Sequence, residues 1–591
     1  MPSSTQDKRR ELVAVNIVDS MLVSICREMA INLMKTSYST IFNEAEDFTT
    51  ALANPDGEMI AVADQCPSQI GGIPLLVRSM IKEMPLSDMD EGDVIVHNDP
   101  YRGGLHTPEH TAFKPVFVEG EIVGFAVAVG HFVECGGISP GGFAGEATEI
   151  FHEGMRVPPV KIKKRGEDVE EVWKLMLANV RTPRLNYGDL RALISAVDLG
   201  AKRLQEVYAK YGKERTKEIV TGILDYSEAR MRAELAAIAD GVYSYSDTIE
   251  DDGIDDRQYT IKASVYVQGD EVVIDYSGSS PQAKGPINAT LGVAWSAAYN
   301  AMMHITDQTI PKNSGCFRPI RVLAPKGTVM NVDYPGPEVS GNTETHPIIV
   351  ATILGAMADA TPNRVMASEG CTHGCFVFGH YDAKNDEAVG GFDFAFVGYG
   401  GRAFADGNDT TDSINGNCAN TPVEVFETRF GWEVEEYSMR PDSGGAGTYR
   451  GGLSTSRTLR AMTDIVISQT TNRHKEPAWG LKGGQPGLTG ATLVQRNGSD
   501  DWLTIAQAFN KASPSKYCNV PIRPGDKVRV MAPGGGGYGD PLKRDRARVV
   551  EDVLEGFISR EAAAKYYGFR DSWLEEFVDT GRELIPKAAA E

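Results

Sequence analysis

Five of the chain's ten histidines, at positions 97, 106, 110, 131 and 152, fall in one stretch that cannot be a continuous helix. Pro100 and Pro108 would break a helical run there, and the adjacent Gly103 and Gly104 permit a tight backbone. The histidines must sit on strands and loops, where residues far apart in sequence can meet. Asp99, Glu109, Glu134, Glu149 and Glu153 lie in the same stretch, so imidazole and carboxylate occur together, as in catalytic zinc and manganese sites.

The core of the stretch is His97-Asn-Asp-Pro-Tyr-Arg-Gly-Gly-Leu-His106-Thr-Pro-Glu109-His110, followed by Gly130-His131-Phe-Val-Glu134. A turn would aim His106 and Glu109 at a common point, whereas an extended chain would put His106, Pro108 and His110 on one face. Spacing alone leaves Glu109 and His110 as alternatives. His131 ends the apolar run Val123–Val129, which reads as a buried strand and places its imidazole at the strand's end. Hydrogen-bonded histidines in a polar cleft without metal account for these residues equally well.

At 591 residues the chain is about twice the length at which single cores stop growing, so several domains or subdomains are expected. The pattern predicts an α+β multidomain protein of mixed sheets with antiparallel meanders, divided at 1–185, 186–240, 241–345 and 346–591. The first region is α/β and carries the candidate metal site. It opens with helical spacing over the first 40 residues, then a strand and hairpin from Phe48 around Asn54-Pro-Asp-Gly57. The second is charged and helical, with interruptions near Gly212 and Gly222. In the third, Tyr243–Ile249, Tyr259–Val267 and Glu271–Tyr276 alternate like a meander, followed by a helix over Ala289–Ile305. The fourth has a helix over Ile348–Ala360, then a mostly β, glycine-rich half, and ends in helical spacing at Arg546–Tyr567.

The chain carries 59 basic and 81 acidic residues, a net charge of −22, without a basic stripe, which argues against a nucleic-acid partner. The stretch from Met1 to Glu11 is polar and not a secretory signal, and the longest apolar runs are too short to span a membrane. Eight cysteines without framework spacing suit a reducing compartment, so a cytoplasmic protein is expected. Cys371-Thr-His373-Gly-Cys375 brings three donors close together but has no second cysteine pair to complete a structural zinc site. No P-loop occurs. Gly534, Gly536 and Gly539 fit a dinucleotide pattern without the strands to support it, and a tight loop at a domain or subunit contact is expected there. Asp442-Ser-Gly-Gly445 reads as a turn.

The string from His97 to Glu109, Gly130-His131 and Ala147-Thr-Glu-Ile-Phe-His-Glu-Gly-Met-Arg-Val-Pro-Pro-Val160 strongly resembles the hydantoinase B family. So do Glu46-Asp47-Phe48-Thr49, Asn313-Ser-Gly-Cys-Phe-Arg-Pro-Ile320, Arg450-Gly-Gly-Leu453 and Pro533-Gly-Gly-Gly-Gly-Tyr-Gly-Asp-Pro541, in the family's order. The family includes half of 5-oxoprolinase, the caprolactamase beta chain, and components of acetone and acetophenone carboxylases.

The resemblance implies the metal-binding subunit of a hetero-oligomer such as (αβ)2, beside a hydantoinase A-type subunit that binds ATP and phosphorylates a cyclic amide or, alternatively, a ketone. It implies a divalent metal, zinc or manganese, held by Asp47, His106, Glu109 and His131. Where the family most often carries Asp, this chain has Glu109. Asp47 is assigned by the resemblance alone. Glu134 and Asp99, beside these ligands, are the candidates for proton transfer or for orienting a ligand imidazole.

Overall fold

The computed structural model describes residues 5–579 and 584–586, with side chains from 13 to 576, so part of the polar N-terminal stretch lies outside the described residues. Helix α1 (Thr5–Thr36) leads into an antiparallel sheet of β1 (Phe48–Ala53), β2 (Met59–Val62), β3 (Val94–His97), β4 (Glu109–Val118), β5 (Glu121–His131), β6 (Val160–Lys164) and β7 (Glu167–Asp168). Its strand order is β2-β1-β5-β4-β3-β6-β7. The turn Asn54-Pro-Asp-Gly57 closes the β1–β2 hairpin as the sequence predicts, with the Asn54 carboxamide accepting from the amides of Asp56 and Glu58.

Both faces of this sheet are covered, which explains the unbroken apolar run in β5. Phe125, Val127 and Val129 join one core with α2 (Pro67–Glu83) and α5 (Leu291–Ile305). Ala126 and Ala128 join the other, with α1 and α3 (Pro183–Tyr211). The small residues on that second face let the helices come close: a side chain at Gly200 of α3 would meet the sulfur of Met29 at 2.4 Å.

The expected helical region consists of α3 and α4 (Lys213–Leu235), broken at Gly212 but not at Gly222. Gly222 is a packing glycine: a Cβ there would approach Val15 of α1 to 3.3 Å. The meander forms as expected over Gly241–Ile249, Tyr259–Gln268 and Glu271–Asp275, with Ile320–Leu323 added in parallel. A π-type turn, Gly341–Thr345, precedes α6 (His346–Met357). Two larger antiparallel sheets dominate the C-terminal half, and the end of the chain holds the short helices Arg546–Leu554 and Arg560–Tyr567 and a two-stranded sheet of Phe577–Asp579 with Leu584–Pro586. The cores run across the segment boundaries, one drawing residues from Ala51 to Ile414 and the other from Val15 to Cys418. Among the described residues, no helix is long and apolar enough to cross a membrane.

Candidate metal centre

Strand register assembles the site. Glu109 stands opposite His131 in the β4–β5 ladder, and Phe48 stands opposite Gly130 in the β1–β5 ladder. Asp47, just before β1, therefore falls opposite His131, whose amide donates to the Asp47 carbonyl at 3.0 Å. Asp47, His131 and Glu109 form a row across the ends of three adjacent strands, and strand alternation puts them on one face. His106 joins them through a turn in which the Glu109 amide donates to the His106 carbonyl at 3.1 Å.

The alternation also separates Glu109 from His110. His110 takes the opposite face, its ring tilted 45° against Phe132 at 4.4 Å with Nδ1 against the Pro108 carbonyl, and burial pushes its pKa down to about 4. On that face Gly130 has no room for a side chain, because a Cβ would lie 2.4 Å from the Phe42 ring.

All four predicted ligands are buried. The Gln69 amide, in the first turn of α2, donates to Asp47 Oδ1 at 3.0 Å and to Glu109 Oε1 at 3.1 Å, fixing both carboxylates with one group. Pro67 at the start of α2 suits a first helical turn, and the buried Ser68 amide, which has no partner within the helix, finds the Asn415 carbonyl at 3.0 Å. Asn342 of the π-type turn adds a hydrogen bond to Glu109 Oε1 at 3.2 Å. His106 Nδ1 donates to the Val339 carbonyl at 3.0 Å, so the neutral ring carries its lone pair on Nε2, 3.5 Å from Glu109 Oε1. His131 Nδ1 lies 3.7 Å from Asp47 Oδ2, and the two imidazole centroids are 5.1 Å apart.

Among the four predicted ligands, three buried atoms have no hydrogen-bonding partner: His106 Nε2, His131 Nε2 and Glu109 Oε2. A group that accepts lone pairs suits them, and two imidazoles with two carboxylates are a donor set for zinc or manganese. Burial raises Asp47 to about 7 against the pull of His373. Burial also drives His131 well below its ordinary value, helped by His106 and His373, and so keeps it neutral. For His106, burial opposes the charged form, but Glu109 and Glu338 outweigh it and raise the pKa.

The two proton-transfer candidates are engaged elsewhere. Glu134 accepts from the amides of Gly136 at 2.6 Å and Gly141 at 3.0 Å and from Arg181 at 3.0 Å, which folds the loop after β5. Asp99 accepts from the Tyr101 amide and pairs with Arg102 at 3.1 Å and Arg156 at 3.2 Å. Glu153 also stays outside the cluster: it accepts from the amides of Glu338 and Val339 and so holds the backbone that receives His106. His97 hydrogen-bonds the Arg102 and Val157 carbonyls, and His152 is half-exposed beside Glu149.

The C-terminal half contributes residues that no spacing brings together. His373, Asp412 and Cys418 are buried near Asp47, with His373 Nδ1 2.9 Å from Asp412 Oδ1. Asp412 lifts the His373 pKa to about 9 against the cost of burial. Of the Cys371-Thr-His373-Gly-Cys375 trio the histidine pairs with Asp412, Cys371 lies against Ser368, and Cys375, at the start of a strand, is buried within the field of Asp47 and Asp412. His373 was visible in sequence as part of that trio; Asp412 and Cys418 carried no signal. All eight cysteines are free and buried.

Comparison with known proteins matches the hydantoinase B/oxoprolinase family model over residues 11–541. The chain is 33% identical over 571 residues to the beta chain of the caprolactamase of Pseudomonas jessenii, covering 94% of this chain and 95% of that one. It is 31% identical to the B component of a putative D-/L-hydantoinase from Pseudomonas sp. strain NS671, covering 95% and 96%. The crystal structure of the ATP-dependent caprolactamase from P. jessenii superposes with a TM-score of 0.86 at 30% identity, covering 98% of both chains. An acetone carboxylase chain shares the fold with a TM-score of 0.86 at 20% identity, covering 99% of this chain and 83% of that one.

Proposed function

Because the chain belongs to the hydantoinase B/oxoprolinase family, we propose that it is the metal-binding subunit of an ATP-dependent cyclic-amide hydrolase, opening a hydantoin, oxoproline or lactam ring. The observation that carries this reading is the row of Asp47, His131 and Glu109 at three strand ends, closed by His106, with three unpartnered buried donor atoms. These four residues would hold a zinc or manganese ion, which in such a site supplies a water of lowered pKa for attack on an activated amide.

The protein's own part is to fix the donors. Gln69 uses one amide to restrain Asp47 and Glu109, and Val339 sets the His106 tautomer. Glu134 and Asp99 act in this reading as positioning groups, holding the loops on either side of the ligands. The Phe143 and Phe392 rings, 5.4 and 5.5 Å from the His131 ring, exclude water from that side.

ATP is assigned to a hydantoinase A-type partner in a cytoplasmic hetero-oligomer. The relatives' names, which mark them as one component of several, and the lack of a P-loop in this sequence support that division. A ketone carboxylase rests on the fold alone, whereas the lactam-hydrolysing relative is similar at 33% identity over nearly the whole chain.

The test is His106→Ala in the reconstituted complex. Loss of the ion ligated there, near-complete loss of substrate-coupled turnover and a lower melting temperature are expected, because a metal that binds only the native state stabilises it. Full metal occupancy with substantial turnover would overturn the assignment.

A further inference from the structure

The four ligands above do not exhaust the metal-binding side chains at this place. Asp47, His373 and Cys418 present ligand atoms that all lie within 4.8 Å of one another, the one such trio among the described residues. All three are at least nine-tenths buried, at 4%, 5% and 8% exposure.

Their meeting is built into the backbone. Asp412 accepts from the amides of Ser413 at 2.8 Å and Cys418 at 2.7 Å, closing the loop that presents the thiol. Gly416 lies against the pair beneath: a Cβ would fall 2.0 Å from Asp412 Oδ2 and 2.2 Å from His373 Cε1, so only glycine fits. The next residue, Ala419, donates its amide to Ala45 at 3.0 Å, docking this loop beside the Asp47 segment. His373 hangs from the π-type turn through its amide to Thr343 at 3.2 Å. Its Nδ1 lies 2.9 Å from Asp412 Oδ1, a carboxylate–imidazole contact of the kind that orients a ligand histidine.

We propose that Asp47, His373 and Cys418 form a second divalent-cation locus that shares the Asp47 carboxylate with the first; this rests on Asp47 being a ligand there. A thiolate, an imidazole and a carboxylate make a softer set than the two imidazoles and two carboxylates of the first locus, and the cation they suit is zinc. Binding releases the thiol proton to solvent and leaves at least one coordination position open. The arrangement is of the two-metal type, in which neighbouring cations share a carboxylate and divide the tasks of binding and activation.

The experiment is zinc counting and zinc-edge X-ray absorption on the full chain in complex with its partner, stripped with chelator and reloaded with zinc. Two zinc ions per chain are expected, with sulfur at about 2.3 Å in the averaged coordination shell. Cys418→Ser and His373→Asn should each leave one ion and no sulfur signal, and His106→Ala should leave one ion with its sulfur. One ion without sulfur, unchanged by Cys418→Ser, overturns this proposal and leaves the first site standing. A single ion that carries sulfur and is lost in His106→Ala overturns it too, because the six side chains then serve one cation. No bound zinc or other divalent ion overturns both sites. The wild-type count decides the matter even if a variant fails to fold.

Discussion

Around Asp47 the chain packs ionisable side chains where water does not reach, while around Gly451 and Gly535 it removes side chains altogether. In the second region Gly444–Gly447, Gly451–Gly452, Gly480–Gly487 and Gly534–Gly537 run backbone against backbone. Gly445 donates to Gly535 at 2.8 Å, Gly451 to Gly445 at 2.9 Å and Gly536 to Ser368 at 2.7 Å. Both regions are buried and polar. At the metal centre donor atoms are left unmatched, and at the glycine knot main-chain groups satisfy one another. In the proposed reading the first region keeps unmatched side-chain atoms for a cation, while the second is closed by its own main chain.

The sharpest way to break the comparison is to add a methyl group to the knot. In Gly451→Ala the new Cβ would sit 2.0 Å from the Gly535 carbonyl oxygen, against backbone rather than a flexible side chain. Destabilisation above about 3 kcal/mol, beyond the usual cost of overpacking, is expected in urea unfolding, with metal affinity unchanged in the fraction that folds. A loss under about 1 kcal/mol would mean that the knot is loosely packed.

At the metal centre the effect should fall on binding. Gln69→Leu strips Asp47 Oδ1 of its donor and takes one of two from Glu109 Oε1. Chelator competition should show metal affinity 10- to 100-fold weaker, the usual effect of removing such a support, with about 1–3 kcal/mol lost from the metal-free fold. Wild-type affinity would show that the two carboxylates are held by other means.

A third expectation separates the regions by pH. Burial raises Glu344 and Glu369, behind the metal centre, to about 8. Each holds its proton more tightly folded than unfolded, so this part of the stability falls as pH rises from about 4.5 to about 8. Beside the knot, Asp406 is lowered: burial works against it, but Arg544 and Arg450 prevail, so its contribution is present above about 4 and lost as pH falls further. Unfolding of metal-free chain across pH 5 to 8 should therefore show a declining slope that Glu369→Gln flattens. An unchanged slope in that variant would remove Glu369 as its source.

The sequence revealed the parts of the site that local pattern controls. The prolines and glycines around His106 dictated a turn, and the apolar run before His131 placed it at a strand end. Asp47 looks like any loop aspartate until register sets it opposite His131, so only resemblance could find it. The choice between Glu109 and His110 needed the β4–β5 pairing, because one residue's shift exchanges the two faces of a strand. Asp412 and Cys418 carried no signal, and the place of His373 beside Asp47 was hidden, because their meeting depends on how distant segments dock. Glycine misled at Gly222, where it serves close approach between helices rather than breaking one, and sequence does not tell these uses apart.

The hydrogen bonds from His106 to Val339 and from Asn342 to Glu109 each span 233 residues of chain. Closing so large a loop is slow and comes late in folding. During synthesis the row of Asp47, His131 and Glu109 can form as soon as the first sheet pairs, but the residues that fix the His106 tautomer and brace Glu109 have not yet emerged from the ribosome. In the proposed reading, a growing chain would therefore present an unbraced cradle to a cation first and a rigid one only after the second half has docked, so the order of translation would set when the site becomes selective.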